Sequence, residues 1–240
     1  MTTPDVVHGL AQAAAVLVED YDLASALVQV VAASRDAVGA DAVGLIVRNG
    51  RDELELLTAT SHRAADLETY QAASGEGPCV DCMTQKVSIR ATGADVSAQW
   101  PGLAALMRTA GYDMVLATPL HWRGQAIGGL NLFWRVAGPL GEDRVMVSQA
   151  FADALTLTIL NARPVAAEVT SELLDAALRG RVVIEQAKGV LAQLDGLSME
   201  EAFERLLERA QAQEVPLSDV ARAVVDQASR RDSTERAQPQ

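Results

Sequence analysis

Residues 181–194 read RVVIEQAKGVLAQL, a stretch with the pattern of an amphipathic helix. Its small and apolar residues recur four and three positions apart, and residues at these spacings are neighbours on one face of a helix. Ile184 and Leu191 form a second apolar line beside the first. Arg181, Glu185 and Lys188 share a polar face. The stretch therefore predicts a helix that packs on one side and points two cations outward.

The apolar spacing begins upstream of this stretch and runs over almost four heptads. Sustained spacing of this kind is typical of helix–helix association. Gly180 and Gly189 each cost about 1 kcal/mol relative to alanine inside a helix, so we expect a close contact at both, with a helix break at Gly180 as the alternative. The line predicts a homodimer whose contact residues are Val169, Leu173, Ala176, Val183, Ala187, Val190 and Leu194.

The chain of 240 residues has a formal charge of −12, and 49% of its residues are hydrophobic. The hydrophobic share predicts a buried core, and the negative charge argues against nonspecific attraction of the whole molecule to nucleic acid or membranes. The charge is unevenly placed: residues 1–178 hold 11 Lys and Arg against 21 Asp and Glu, whereas residues 179–240 hold 9 against 11. A local basic site is therefore compatible with the C-terminal part.

The sequence carries no sign of secretion or of membrane insertion. Residues 1–10, MTTPDVVHGL, lack the basic start and the long apolar run of a signal peptide. No run approaches the roughly 18 apolar residues of a membrane span. Two cysteines are too few for a disulfide framework. We therefore expect a cytoplasmic protein that does not act at a membrane.

Residues 1–163 alternate between helical patterns and short strand patterns. Two helical patterns come first, and the strand pattern DAVGLIVR at 41–48 is followed by Asn49-Gly50, a strong hairpin signal. After a helical excursion and a short strand, residues 113–120 and 125–134 form a second hairpin pattern, and a long amphipathic helix follows. Hairpins interspersed with helices predict an α+β domain built on one antiparallel sheet.

Two motifs within this region resemble the GAF family: GEGPC at 75–79 and TPLHWRGQAIGGLNLF at 118–133. The resemblance implies a GAF-like sensory domain at residues 1–163, with a ligand pocket on one face of its sheet. Such pockets are concave, mostly apolar and oriented by a few polar groups. The sequence leaves the ligand and any cofactor unknown, and the family's cyclic-nucleotide signature is not recognisable. The candidate pocket residues are Cys79, Cys82, Trp100, Tyr112 and His121.

Cys79 and Cys82 form a C-x-x-C pair on a predicted helical turn. A redox or metal role is one interpretation, although one pair cannot complete a four-ligand zinc site. The other interpretation is two partly buried thiols, and we expect no metal site and no catalytic residue. An enzyme similar to the free methionine sulfoxide reductases of the GAF fold is an alternative. Their catalytic cysteine precedes the strand that ends in Pro-Leu, however, and the matching stretch at 111–120, GYDMVLATPL, has none.

A helix stop and a capping box mark two further helices after residue 194. Asp195-Gly196 places glycine just past a helix end, and Ser198 with Glu201 forms the S-x-x-E box that opens the next helix. A last helix is expected to end near residue 229, and residues 231–240 lack an apolar period, which predicts a disordered tail. Residues 164–230 are therefore predicted to be an all-α domain of three helices that includes a long connecting helix.

This C-terminal region closely resembles the ANTAR family over residues 170–228. The matching motifs are R-x-x-I-E-Q-A-K-G-x-L at 181–191, S-x-x-E-A-F at 198–203 and L-x-x-V-A-x-x-V at 217–224. The resemblance implies a transcription antiterminator that binds paired stem-loops of structured leader RNA as a dimer. Arg181 and Lys188 match basic positions of the family, and the departures at Gly180 and Ala192 leave those positions intact.

RNA loops are bound through phosphate contacts and through stacking on aromatic or guanidinium planes. The RNA-binding candidates are Arg179, Arg181, Lys188, Arg205 and Arg209. The alternative is a solvated helix face whose cations are balanced by neighbouring glutamates. The favoured hypothesis is a regulator and not an enzyme: its GAF domain senses a small ligand or a redox signal, and its ANTAR domain binds RNA. A protein-interaction adaptor is a further alternative.

Overall fold

The computed structural model describes residues 3–16, 23–161, 169–213 and 215–236. The chain divides into two compact units. The first unit comprises Met1–Asp20 and Ala26–Asp175, and the second comprises Tyr21–Ser25 and Ala176–Gln240. The first unit contains a sheet with helices and the second is helical, as the fold class predicted from the sequence requires.

The sheet of the first unit has five strands in the order β2-β1-β5-β4-β3, and every neighbouring pair is antiparallel. This confirms the antiparallel sheet predicted from the two hairpin patterns. The long strands β4 and β5 lie near the centre and are buried along most of their length. The strands are β1 (Ala42–Arg48), β2 (Leu54–Ala59), β3 (Ile89–Thr92), β4 (Met114–Trp122) and β5 (Gln125–Trp134).

The two hairpins turn by different means. The β4–β5 turn places Arg123 (φ 47°) and Gly124 (φ 77°) in the left-handed region, the combination that a two-residue turn of type I′ requires. In the β1–β2 turn the left-handed residue is Asp52 (φ 66°) and not Gly50. The Asn49 side chain organises that turn, because its Oδ1 accepts hydrogen bonds from the backbone N–H groups of Arg51 (2.9 Å) and Glu53 (3.0 Å).

Seven helices of the first unit lie in the described part of the chain. One of them, α5 (Gly93–Gln99), was not expected from the sequence. It begins with a capping box, in which the backbone N–H of Thr92 donates to Asp95 Oδ2 (2.8 Å) and the backbone N–H of Asp95 donates to Thr92 Oγ1 (3.4 Å). The helices are α1 (Thr3–Val16), α2 (Leu23–Val38), α3 (His62–Ser74), α4 (Pro78–Gln85), α5 (Gly93–Gln99), α6 (Pro101–Ala110) and α7 (Glu142–Asn161).

The two faces of the sheet carry different helices. Side chains alternate between the faces along a strand, so Ala117 and Thr118 of β4 point to opposite sides. Thr118 Oγ1 lies 2.7 Å from Ser148 Oγ of α7. On the other face, Gly44 of β1 and Ala117 of β4 both pair with Asn131 of β5. This row of small residues lies beneath α3 and α4.

The second unit contains α8 (Val169–Asp195) from Ala176 onward, α9 (Met199–Gln213) and α10 (Leu217–Arg236). Helix α8 continues through Gly180, so the alternative of a helix break there is wrong. The predicted capping box of α9 is present: the backbone N–H of Ser198 donates to Glu201 Oε2 (2.7 Å), and the backbone N–H of Glu201 donates to Ser198 Oγ (3.2 Å). Gly196 (φ 66°) ends α8 in the left-handed conformation.

Helix α10 extends beyond the end expected from the sequence. Residues 231–236, assigned to a disordered tail, continue the helix to Arg236. Residues 226–236 contain neither glycine nor proline, so no strong helix breaker lies between residue 226 and Pro239. Residues 237–240 of the predicted tail lie outside the described residues. None of the described helices combines the length and apolar character needed to cross a membrane.

We expect Gly129→Ala to destabilise the first unit by about 1–3 kcal/mol, as overpacking of a filled interior does. A Cβ at Gly129 would lie 2.5 Å from Cys79 Sγ and 3.5 Å from Cys82 Sγ. Gly138→Ala is the matched control, because nothing lies within 4 Å of the Cβ it adds. Urea unfolding measures the stability of both variants relative to the parent. Cys79→Ala should recover part of the loss in the Gly129→Ala background, and an unchanged midpoint for Gly129→Ala alone would contradict the close contact.

Candidate functional site

A cluster of buried polar side chains lies on the sheet face beneath α3 and α4. Glu68 and Gln71 of α3 and Asn131 of β5 are each fully buried. Asn131 Nδ2 donates to Glu68 Oε2 (2.7 Å), and Gln71 Nε2 approaches the same oxygen at 3.3 Å. A Cβ at Gly44 would lie 2.5 Å from Glu68 Cγ, so the carboxyl reaches Asn131 only because β1 has no side chain there.

The same cluster caps the start of α4. Gly77 precedes the helix with φ 140° and has no side chain to cap it. Gln71 Oε1 takes this role by accepting a hydrogen bond from the backbone N–H of Cys79 (3.0 Å). Gln71 therefore uses both ends of its amide, and it links α3, α4 and the carboxyl of Glu68.

Cys79 and Cys82 are free thiols with no exposed surface. Both sulfurs lie over Gly129, in an apolar cluster with Ile46, Met83 and Ala117. The pKa of the Cys79 thiol is raised well above its ordinary value, first by its hydrogen bond with Cys82 and then by burial. Reactive cysteines are partly exposed and have a lowered pKa, so this is the environment of unreactive thiols.

Burial also raises the pKa of Glu68 well above its ordinary value, Cys79 adds to the rise, and the hydrogen bond from Asn131 opposes it. Among the described residues, Glu68 Oε1 and Asn131 Oδ1 are buried side-chain atoms without a hydrogen-bond partner. Both atoms are acceptors when Glu68 is ionised. Protonation turns one oxygen of Glu68 into an O–H donor, which the ionised carboxylate cannot provide.

The predicted pocket residues fall into three places. Cys79 and Cys82 lie together beside the polar cluster. Trp100 and Tyr112 are buried in a separate apolar cluster, where the Tyr112 ring packs against Phe133 at 5.4 Å. His121 is exposed at the end of β4, and its Nε2 lies 3.2 Å from the backbone oxygen of Lys86. The structure thus brings the two cysteines together and separates His121 from them.

Sequence reasoning missed Glu68, Gln71 and Asn131. The signal was present in α3, because Glu68 and Gln71 are three residues apart and share the buried face with Ala64 and Leu67. Within the described ranges, no group of three His, Cys, Asp or Glu side chains forms a metal site.

In the second unit Lys188 lies differently from the expectation that it faces solvent. It is 8% exposed, and Ile184, Ala187 and Leu191 are buried along the same side of α8. Lys188 Nζ donates to both carboxylate oxygens of Glu185 (2.9 and 3.0 Å) and lies 5.4 Å from the centre of the Phe203 ring on α9. The ammonium is thus a contact between two helices.

The arginine candidates keep more exposure. Arg205 is 45% exposed and lies 3.8 Å from Asp195, and Arg209, one turn later on α9, is half-buried. Arg181 is half-buried on α8 and already interacts with another group of the protein. The Arg179 side chain lies outside the described residues.

The predicted dimer line is only partly exposed. Leu194 is 56% exposed, and Val183 and Val190 are half-buried. Ala187 has no exposed surface. Gly189 is on the open side of α8, where an added Cβ would meet nothing within 4 Å. The side chains of Val169, Leu173 and Ala176 lie outside the described residues.

We expect Glu68→Gln to remove a pH dependence of stability. Below the unfolded-state pKa of about 4.3, Glu68 is protonated in both states and its contribution is fully present. As the pH rises from there toward the raised folded-state pKa, only the unfolded chain releases the proton, so the free energy of unfolding falls. Glutamine does not titrate, keeps an acceptor oxygen for Asn131 Nδ2 and has N–H donors in place of the carboxylic acid O–H. The unfolding free energy of Glu68→Gln minus that of the parent should therefore grow as the pH rises. If the two proteins show parallel plots of unfolding free energy against pH, Glu68 is not protonated in the folded state.

Family models match two parts of the chain. The GAF domain model matches residues 22–159, and the ANTAR domain model matches residues 172–225. The first covers the five-stranded sheet and the helices from α2 to near the end of α7, and the second covers most of α8, all of α9 and the start of α10. A search of curated proteins finds no match.

Solved structures agree on the fold of the first part. The GAF domain of a phosphoenolpyruvate-protein phosphotransferase from Coxiella burnetii is 20% identical, with a TM-score of 0.53, and the match covers 68% of this chain and 97% of that one. The corresponding domain from Acinetobacter is 14% identical, with a TM-score of 0.52, over 69% and 98%. At these identities the likeness shows the fold alone. The chain belongs to the GAF family, and an ANTAR domain follows its GAF domain.

Proposed function

We propose that this protein is an RNA-binding regulator of transcription antitermination. The observation that supports the proposal most is the ANTAR match over residues 172–225, in a helical unit that carries basic side chains on α8 and α9. We assign sensing to residues 1–163 and RNA binding to residues 164–230. A GAF domain joined to an ANTAR domain favours regulation over catalysis.

The proposed RNA contacts are basic side chains of α8 and α9. Arg205 and Arg209 are four residues apart, so one side of α9 presents both guanidinium groups. Arg181 and Arg179 add cations along α8, whereas Lys188 is buried at the contact with α9. Phosphate contacts by such groups position a protein on RNA, and planar guanidinium groups also stack on exposed bases. The overall charge of −12 restricts the attraction to this local surface.

We further propose that the protein acts in the cytoplasm as a homodimer on paired stem-loops of leader RNA. The exposed Leu194 and the half-buried Val183 and Val190 lie along one line of α8 and supply apolar surface for a second copy. Two copies would present two equivalent basic surfaces, which suits a pair of similar loops.

For the GAF domain we propose a signal received at the sheet face beneath α3 and α4, as a small ligand or a redox change. The full burial of both thiols and the raised pKa of Cys79 favour a small ligand over oxidation. A ligand that displaces α4 would break the bond between Gln71 and the Cys79 backbone and expose the polar cluster.

RNA binding is tested with an RNA selected by the native protein from a pool of paired stem-loops with randomised loops. We expect Arg205→Gln with Arg209→Gln to weaken binding and to reduce the slope of log K against log salt by about 0.7–0.9 for each phosphate that the variant no longer neutralises. Filter binding at several KCl concentrations measures both quantities.

The matched control for this experiment is Arg51→Gln, which removes an exposed positive charge from the first unit. It should leave affinity and slope unchanged. Enrichment of no RNA by the native protein would refute the proposed function. Equal losses for the control and the double variant would refute the assignment of the binding surface.

Dimer formation is tested by light scattering across a range of protein concentrations. We expect Leu194→Glu to weaken the dimer at least about tenfold, because each copy would bury a charge in place of an apolar side chain. Val136→Glu is the control, since Val136 is 78% exposed in a loop of the first unit. A parent protein that stays monomeric at high concentration would rule the homodimer out.

A further inference from the structure

Lys188 occupies the contact between α8 and α9, and we propose that it positions α9 for RNA and does not itself contact RNA. The inference rests on the proposed function and concerns the role of one residue in it. It departs from the expectation drawn from the sequence, where Lys188 was a phosphate-binding candidate.

The surroundings of the ammonium leave little room for a phosphate. Lysine has three N–H donors, and the Glu185 carboxylate accepts from Lys188 Nζ with both of its oxygens. The Phe203 ring lies 5.4 Å away, within the range of a cation–π contact. The side chain is about 10% exposed. Glu185 takes two of the three donors, and the low exposure together with the Phe203 ring restricts the access of a phosphate oxygen to the third.

The charge of Lys188 is also already compensated. Salt dependence of RNA binding arises because cations that neutralise phosphates release condensed counterions. The ion pair of Lys188 and Glu185, at 2.9 Å, has no net charge with which to neutralise a phosphate. Arg205 is different, because its ion pair with Asp195 is longer, at 3.8 Å, and both partners are well exposed.

The contact with Phe203 sets how α9 is rotated about its own axis. The buried side of α9 is Ala202, Leu206 and Ala210, and two of these three side chains are too small to interlock with a neighbour. Phe203 is a large, half-buried side chain at the edge of this stripe. Successive helix residues are rotated by about 100°, so Arg205 projects nearly opposite to Phe203. Holding Phe203 against α8 therefore turns Arg205 outward.

The experiment compares Lys188→Met with the single variant Arg205→Gln, using the selected RNA at several KCl concentrations. Methionine keeps the apolar stem and removes the charge. We expect Lys188→Met to weaken binding about three- to thirtyfold, the range of a cation–π contact, with the salt slope of the parent. Arg205→Gln should lower the slope by about 0.7–0.9. Lys188→Arg should restore most of the affinity. A slope lowered by Lys188→Met, or an unchanged affinity, would overturn the inference.

Two further variants keep Lys188 in place, so the test does not depend on the fold of Lys188→Met. Phe203→Leu should weaken binding at constant slope, and its loss should not add to that of Lys188→Met. Glu185→Gln should leave the slope unchanged. If Lys188 contacts phosphate, Glu185→Gln releases its charge and gives tighter binding with a steeper slope, which contradicts positioning.

Failure of the proposed function is separated from failure of this inference by a measurement without RNA. The ε-methylene protons of Lys188 should show an upfield ring-current shift in the free protein, and Phe203→Leu should abolish it. A present shift with no RNA bound by the native protein refutes the proposed function alone. An absent shift in a protein that binds RNA refutes the positioning role alone.

Discussion

The close approach of α3 and α4 to the sheet is the constraint on which the interior of the first unit depends. Gly44 and Gly129 leave space that Glu68 and Cys79 fill, and no larger residue fits at either position without displacing them. The approach places a carboxyl, two amides and two thiols in an interior that water does not reach. Each polar group must then find its partner within the protein, because an unpaired one costs about 1–3 kcal/mol. The hydrogen bonds of the cluster follow from this geometry.

In the second unit the buried ammonium of Lys188 is under the same constraint: it needs a partner within the protein. A buried ammonium is stable only beside a compensating charge, and Glu185 supplies it from the preceding turn of α8. Because the ion pair of Lys188 and Glu185 has no net charge, the positive charge that α8 and α9 offer an anionic partner comes from their arginines. In a chain with a net charge of −12, selectivity for an anionic partner then depends on which few cations are exposed and in which direction they point.

Much of the fold was predictable from sequence because it depends on local patterns. Turn residues and alternation marked the hairpins, and S-x-x-E marked the start of α9. The equivalent box at Thr92 and Asp95 was overlooked, and α5 with it. Lys188 was misplaced for a different reason: Ile184, Lys188 and Leu191 are spaced four and three apart, so periodicity alone puts the lysine on the buried line. In the prediction from sequence, Lys188 instead shares the polar face with Arg181, and a lysine is almost never buried unless paired. The Glu68 cluster depends on contacts between residues far apart in sequence, which no local pattern reveals.

The two hydrogen bonds of the Gln71 amide restrict which substitutions this protein can accept during evolution. Its carbonyl serves a backbone N–H of α4 and its amino group serves Glu68, so neither glutamate nor methionine can replace it without leaving a buried group unpaired. A side chain at position 77 would enter the space of Gln71, and one at position 44 that of Glu68. A substitution at position 44, 68, 71, 77 or 131 that breaks these contacts, unlike Glu68→Gln, which keeps them, therefore requires a compensating change at another of the five. Among descendants of this sequence these five positions should be inherited as a set.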